Sequence, residues 1–172
     1  MNEITNRPDE RALAEHIRGI RFVESRLIGD DIGPLPTLSD ESRMRPPRTR
    51  VDRAADIIEF GYRFAECNRI AGHNWLPWLK SNFWDEEYVR PYMNVCEWHA
   101  RGVKDAISSG STAVWNFEID APDLLLLADP STPDAARAEV VRRAGEKLDH
   151  ADVIAIISKA KAKKRKRNSR RS

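Results

Sequence analysis

Nine cations crowd the end of the chain. Lys159, Lys161, Lys163, Lys164, Arg165, Lys166, Arg167, Arg170 and Arg171 are nine of its 29 basic residues, and no carboxylate follows position 158. The chemistry open to such a run is electrostatic. Each phosphate it neutralises releases condensed counterions, giving nucleic-acid affinity that falls with salt at a log-log slope of about −0.9 per contact on duplex DNA. The same charge suits RNA, an acidic lipid surface or the acidic remainder of the chain. That remainder, with 20 basic against 27 acidic residues, has a net charge of −7, whereas the whole chain carries +2. A division of this kind gives the two parts different partners, or each other.

A second group of candidate contacts lies in residues 72–99, which hold four of the five tryptophans: Trp75, Trp78, Trp84 and Trp98. Indole rings at helical spacing build a core, or else stack on exposed bases. Arg90 and Asn94 stand four apart on one helical face, and both side-chain types hydrogen-bond base edges, although both also serve as ordinary surface residues. The same helix carries features unsuited to a groove reader. Glu86 and Glu87 at its start are repelled by DNA charge, and Pro91 removes one backbone hydrogen bond at a cost of about 3 kcal/mol unless the helix kinks.

Catalysis has no visible seat. His16, His73, His99 and His150 are scattered. Cys96 and His99 make half a zinc site, and Cys67 brings no neighbouring ligand. There is no glycine-rich phosphate loop and no nucleophile elbow. The adjacent carboxylates Asp30/Asp31 and Glu86/Glu87 would diverge by about 100° on a helix. No enzyme, metal or cofactor is expected. Cys67 and Cys96 sit in apolar helical patterns and read as free structural thiols.

The elements that must position these residues are helical. Leu13, Ile17, Ile20, Val23 and Leu27 give an amphipathic helix over residues 9–28. Glycines and prolines make 29–50 a linker. Ala54, Ile57, Ile58, Tyr62, Ala65 and Ile70 mark a second long helix over 51–70, with Gly61 a weak point or a close-packing point. A break at Ala71 and Gly72 precedes a short helix, 74–82. Asp85 then caps a helix from Glu86 to about Ala100, which Gly102 ends. Trp75, Leu79 and Phe83 are expected to face Val89 and Met93 across the turn, as in a helix-turn-helix. Residues 102–120 read as an extended connector. A short helix with Leu124 to Leu127 stops at Pro130, Thr132 caps the next with Pro133 in its first turn, and Gly145 terminates it. Asp149 caps the last helix, whose apolar stripe is Val153, Ile154 and Ile157; from residue 161 the tail is expected to be disordered.

The run IIEFGYRFAECNRIAGHNWLPWLKSNFWDEEYVRPYMNVCEWH resembles an uncharacterised family of phage, plasmid and bacterial proteins. In that family a long helix precedes a glycine, a tryptophan-leucine pair and a helix-turn-helix-like unit. The likeness rests on Gly61, Gly72, Trp78, Leu79, Phe83, Tyr92 and Met93 and spans roughly residues 12–100. Residues 124–157 are similar to a helical module found in mobile-element and plasmid-partition-like proteins. The resemblance implies DNA binding or maintenance on a mobile element.

Together these readings give an all-α bundle with a helix-turn-helix-like core (51–101), a C-terminal helical module (121–160) and a disordered basic tail (161–172). The expected function is that of a DNA-binding accessory or regulatory protein, using Arg90, Asn94 and the nine terminal cations. A protein-interaction adaptor and an RNA-binding protein are the alternatives. The chain lacks an apolar run of the roughly 20 residues needed to span a bilayer and lacks a signal-peptide core, so it is expected in the cytoplasm without a membrane partner. No heptad seam marks a homodimer.

Overall fold

The computed structural model describes residues 10–32, 49–108, 119–143 and 146–169. These form seven α-helices and one 3-10 turn: α1 (Glu10–Ile32), α2 (Arg50–Ala71), the turn Gly72–Asn74, α3 (Trp75–Ser81), α4 (Glu86–Ser108), α5 (Ala121–Ala128), α6 (Asp134–Arg142) and α7 (His150–Ser169). Among the described residues there is no strand, so the protein is all-α. No helix is long and apolar enough to cross a membrane, again among the described residues.

Three of the helix starts carry side-chain caps. The Thr49 hydroxyl accepts from the Asp52 N–H, and the Asp52 carboxylate accepts from the Thr49 N–H at 2.9 Å. This reciprocal box satisfies two donors at the start of α2. Asp85 accepts from the Tyr88 N–H at 2.7 Å, as its place before α4 predicts. Asp149 and Asp152 repeat the arrangement at α7, with the Asp152 N–H donating to Asp149 at 2.9 Å.

α2 is the central element, packed between α1 and α4. Its buried face is Ala54, Asp56, Ile57, Phe60, Gly61, Phe64, Cys67 and Ala71. Tyr62, expected on that face, is exposed: the helix turns its phenylalanines inward, and position 62 falls opposite them. Phe60 meets Phe64 at 4.9 Å and Tyr92 at 4.8 Å between ring centroids, and Phe64 meets Trp84 at 5.1 Å, all edge to face. Burying one such ring contributes about 1.5–3 kcal/mol. Gly61 is the close-packing point: a Cβ there would land on the Tyr92 carbonyl, so the backbones of α2 and α4 touch where they cross. That crossing lies beside Pro91, through which α4 runs on as one helix.

Two apolar clusters share this frame. One joins α1, α2, α3 and the first turns of α4. The other joins Ala54 and Ile57 of α2, Val95 and Trp98 of α4, and the buried residues of α5, α6 and α7, so the C-terminal helices seat on the same two long helices. Leu27 and Tyr92 pack against both.

Several boundaries differ from the sequence reading. α1 continues through Gly29 to Ile32, inside the expected linker. α4 passes Gly102 and ends at Ser108, because a glycine weakens a helix by only about 1 kcal/mol and does not forbid it. Thr132 does not cap α6. Its hydroxyl turns back to the Leu126 carbonyl at 2.8 Å and closes the end of α5, leaving Pro133 as the cap. α7 extends to Ser169, so residues 161–169 are helical rather than disordered. Lysine, arginine and alanine are strong helix formers, and cations suit a helix C-terminus. The remaining linker and connector residues, Gly145 and the last three residues lie outside the described residues.

Candidate nucleic-acid interface

The turn between α3 and α4 has the form the sequence suggests but exchanges one residue for another. α3 ends in a Schellman arrangement: the Phe83 N–H bonds to the Lys80 carbonyl at 3.2 Å and the Trp84 N–H to the Leu79 carbonyl at 3.1 Å. Phe83 occupies the left-handed position there, with φ 65°, where glycine is usual. The helical count 75, 79, 83 therefore fails at its third member, since the helix stops at Ser81. Phe83 is 90% exposed, and Trp84 enters the core in its place with Trp75, Leu79, Val89 and Met93.

α1 holds this turn from outside. The Trp84 indole N–H donates to Glu24 at 3.1 Å, Arg21 lies over the same ring at 4.3 Å, and Arg21 also donates to the Asn82 carbonyl at 2.9 Å. Trp75, Trp84 and Trp98 are buried, which removes their faces from any stacking on bases.

The outward side of α4 does not present a free basic surface. Arg90 is ion-paired with Glu86 one turn back, and Glu87 and Glu97 are exposed beside it. Asn94 lines a cleft of about 290 Å³ with Glu97, Arg101, Ala128, Pro130 and Arg137. Arg137 is committed to structure, donating to the Leu127 and Asp129 carbonyls at 2.8 and 2.7 Å. Arg90 and Asn94 thus share one face of α4, four residues apart, and that face is of mixed charge, with Glu86 paired to Arg90 and Glu97 beside Asn94 in the cleft.

The C-terminal cations have a different setting. α7 is docked through Val153 and Ile157, which are buried, with Ile156 and Ala160 beside them. At its first residue His150 Nδ1 lies 2.5 Å from Asp123, a carboxylate only 1% exposed. From Lys161 to Lys166 every residue is exposed. Lys159, Lys161, Lys163, Lys164, Arg165 and Lys166 therefore stand on a helix whose root is fixed. Arg167 continues that helix, and Arg170 and Arg171 lie outside the described residues.

Sequence reasoning missed Ser131 and Pro133, which face Lys161, Lys164 and Arg165 across a second cleft. Nothing in their residue types marks them; the fold of the Asp129–Thr132 turn against α7 brings them there. Cys67 and Cys96 are free, and burial pushes the Cys67 thiol up to about 12. Among the described residues no three His, Cys, Asp or Glu side chains are grouped to hold a metal ion.

No family model, no curated protein and no solved structure matches the chain. The functional reading therefore rests on the chain's own residues.

Proposed function

We propose that the chain is a non-enzymatic, DNA-associated accessory or regulatory protein whose contact element is the basic half of α7. The observation that carries this reading is the set of six exposed cations from Lys159 to Lys166, with no carboxylate among them, on a helix rooted in the core. A rooted helix presents its charges at fixed spacing to a polyanion, and the acidic body keeps a bound strand on that side. The helix-turn-helix-like unit serves as scaffold in this reading, because Glu86, Glu87 and Glu97 line the outward side of α4. A phage, plasmid or integrated-element setting follows from the resemblance alone.

The test is a salt-titrated binding assay on random duplex DNA, comparing the full chain with a variant in which these six cations are glutamine. The full chain is expected to bind with a log-log salt slope of about −0.9 per phosphate contacted, and the variant to lose most of that affinity. Equal binding by the two would reject the reading, and preference for structured or single-stranded RNA would reassign it. The acidic outward side of α4, with Arg90 neutralised by Glu86, favours one second reading, a protein-interaction adaptor. It would be supported if the six-cation variant still captured a basic partner.

A further inference from the structure

The cations of α7 are not equivalent. Lys161, Lys164 and Arg165 line, with Ser131 and Pro133, a cleft of about 340 Å³ between α7 and the turn that joins α5 to α6. Lys164 continues, at the exposed end, the stripe of buried Val153 and Ile157 and half-buried Ala160, so this is the side on which α7 lies against the body. Lys163 and Lys166 stand roughly 150° around the helix and face away.

The cleft has three cations and no carboxylate in its lining, and its far wall is stiffened. The Ser131 N–H donates to the Asp129 carboxylate at 2.7 Å, the Thr132 N–H bonds to the Asp129 carbonyl at 2.9 Å, and Arg137 holds that carbonyl at 2.7 Å. Hydrogen bonds from Ser131, and less strongly the charge of Lys161, hold the Asp129 carboxyl below the usual carboxylate range. The ionised carboxylate draws Lys161 toward the turn.

We propose that this cleft is a phosphate seat, in which Lys161, Lys164 and Arg165 grip the sugar-phosphate backbone of one DNA strand against the Ser131–Pro133 wall. The inference rests on the DNA-binding reading and deepens it, by dividing a uniform polycation into a gripping side and a steering side. Arg165 suits the grip because its planar fork bonds a phosphate through two N–H groups at once. A two-walled cleft lets cations and the turn contact one phosphate from two sides, which a single helix face does not.

The experiment compares two variants of the full chain with equal loss of charge, Lys161→Gln/Lys164→Gln and Lys163→Gln/Lys166→Gln, by anisotropy on a fluorescent random duplex at low salt. All four side chains are exposed, so both variants keep the fold. The cleft pair is expected to weaken binding about tenfold more than the outward pair. A third variant, Ser131→Phe, obstructs the cleft without altering charge and is also expected to weaken binding. Equal losses from the two pairs, with Ser131→Phe unchanged, would overturn the phosphate seat while leaving DNA binding intact. Absence of binding by the unaltered chain would overturn the DNA-binding reading and the seat with it.

Discussion

Phe83 is the residue most at odds with its surroundings. A side chain in the left-handed region costs about 1–2 kcal/mol, and this one, exposed as it is, recovers little by burial. Phe83→Gly is therefore expected to raise stability by about 0.5–1 kcal/mol, the strain relieved less the entropy glycine adds to the unfolded chain. Urea denaturation checks it, and a loss of stability would mean that the ring makes a contact the fold requires. The sequence could not disclose this, because apolar spacing alone does not say where a helix stops, and two residues decide whether Phe83 or Trp84 goes inside. His99 makes a second prediction. Burial holds its folded pKa below 6.5, so the unfolded chain takes up the proton first, and stability must fall as pH drops below that value. Between about pH 7.5 and about pH 5.5 the chain is expected to lose more stability than its His99→Gln variant. An equal loss would show that His99 does not contribute.

At the scale of elements, the crossing of α2 and α4 is the tightest joint. Gly61→Ala puts a methyl group against the Tyr92 carbonyl, where neither backbone can yield without moving a helix. A loss of about 1–3 kcal/mol is expected. Gly19→Ala is the control. The nearest atoms to its methyl group belong to the Arg63 guanidinium, the far end of a long side chain that can shift while keeping its pairing with Glu59, and the gain in helix propensity of up to about 1 kcal/mol offsets the displacement. Thermal melts of both variants decide the matter, and similar losses would mean that the helices are not held by backbone contact at Gly61. Helix positions were largely legible, and so were the caps Asp85 and Asp149, because period and capping chemistry are local. Thr132 was not. Its hydroxyl chooses between two helix ends, and only the path of the turn between them makes the Leu126 carbonyl the nearer partner.

For the whole molecule, the division of charge was legible by counting, and so was the placement of most tryptophans in the core. The cleft behind the proposed seat was not, since the wall opposite Lys161 is made by Ser131 and Pro133, about 30 positions away in the chain. The continuation of α7 was missed for a related reason: a segment with nothing to bury still extends a helix whose first turns are anchored. That continuation has a consequence for how salt acts on the protein. Lys159 and Lys163, Lys161 and Arg165, and Lys163 and Lys166 are like charges three or four residues apart, and each such pair opposes the helix by about 0.2–0.5 kcal/mol. Added salt screens that repulsion while it weakens any hold on a polyanion. Circular dichroism over a salt series is therefore expected to show helix content rising as nucleic-acid affinity falls. A parallel decline of both would mean that the arm owes its shape to something other than its own backbone. With opposite trends, a polyanion would do the work of salt locally, so a strand bound as proposed would also stiffen the helix that holds it.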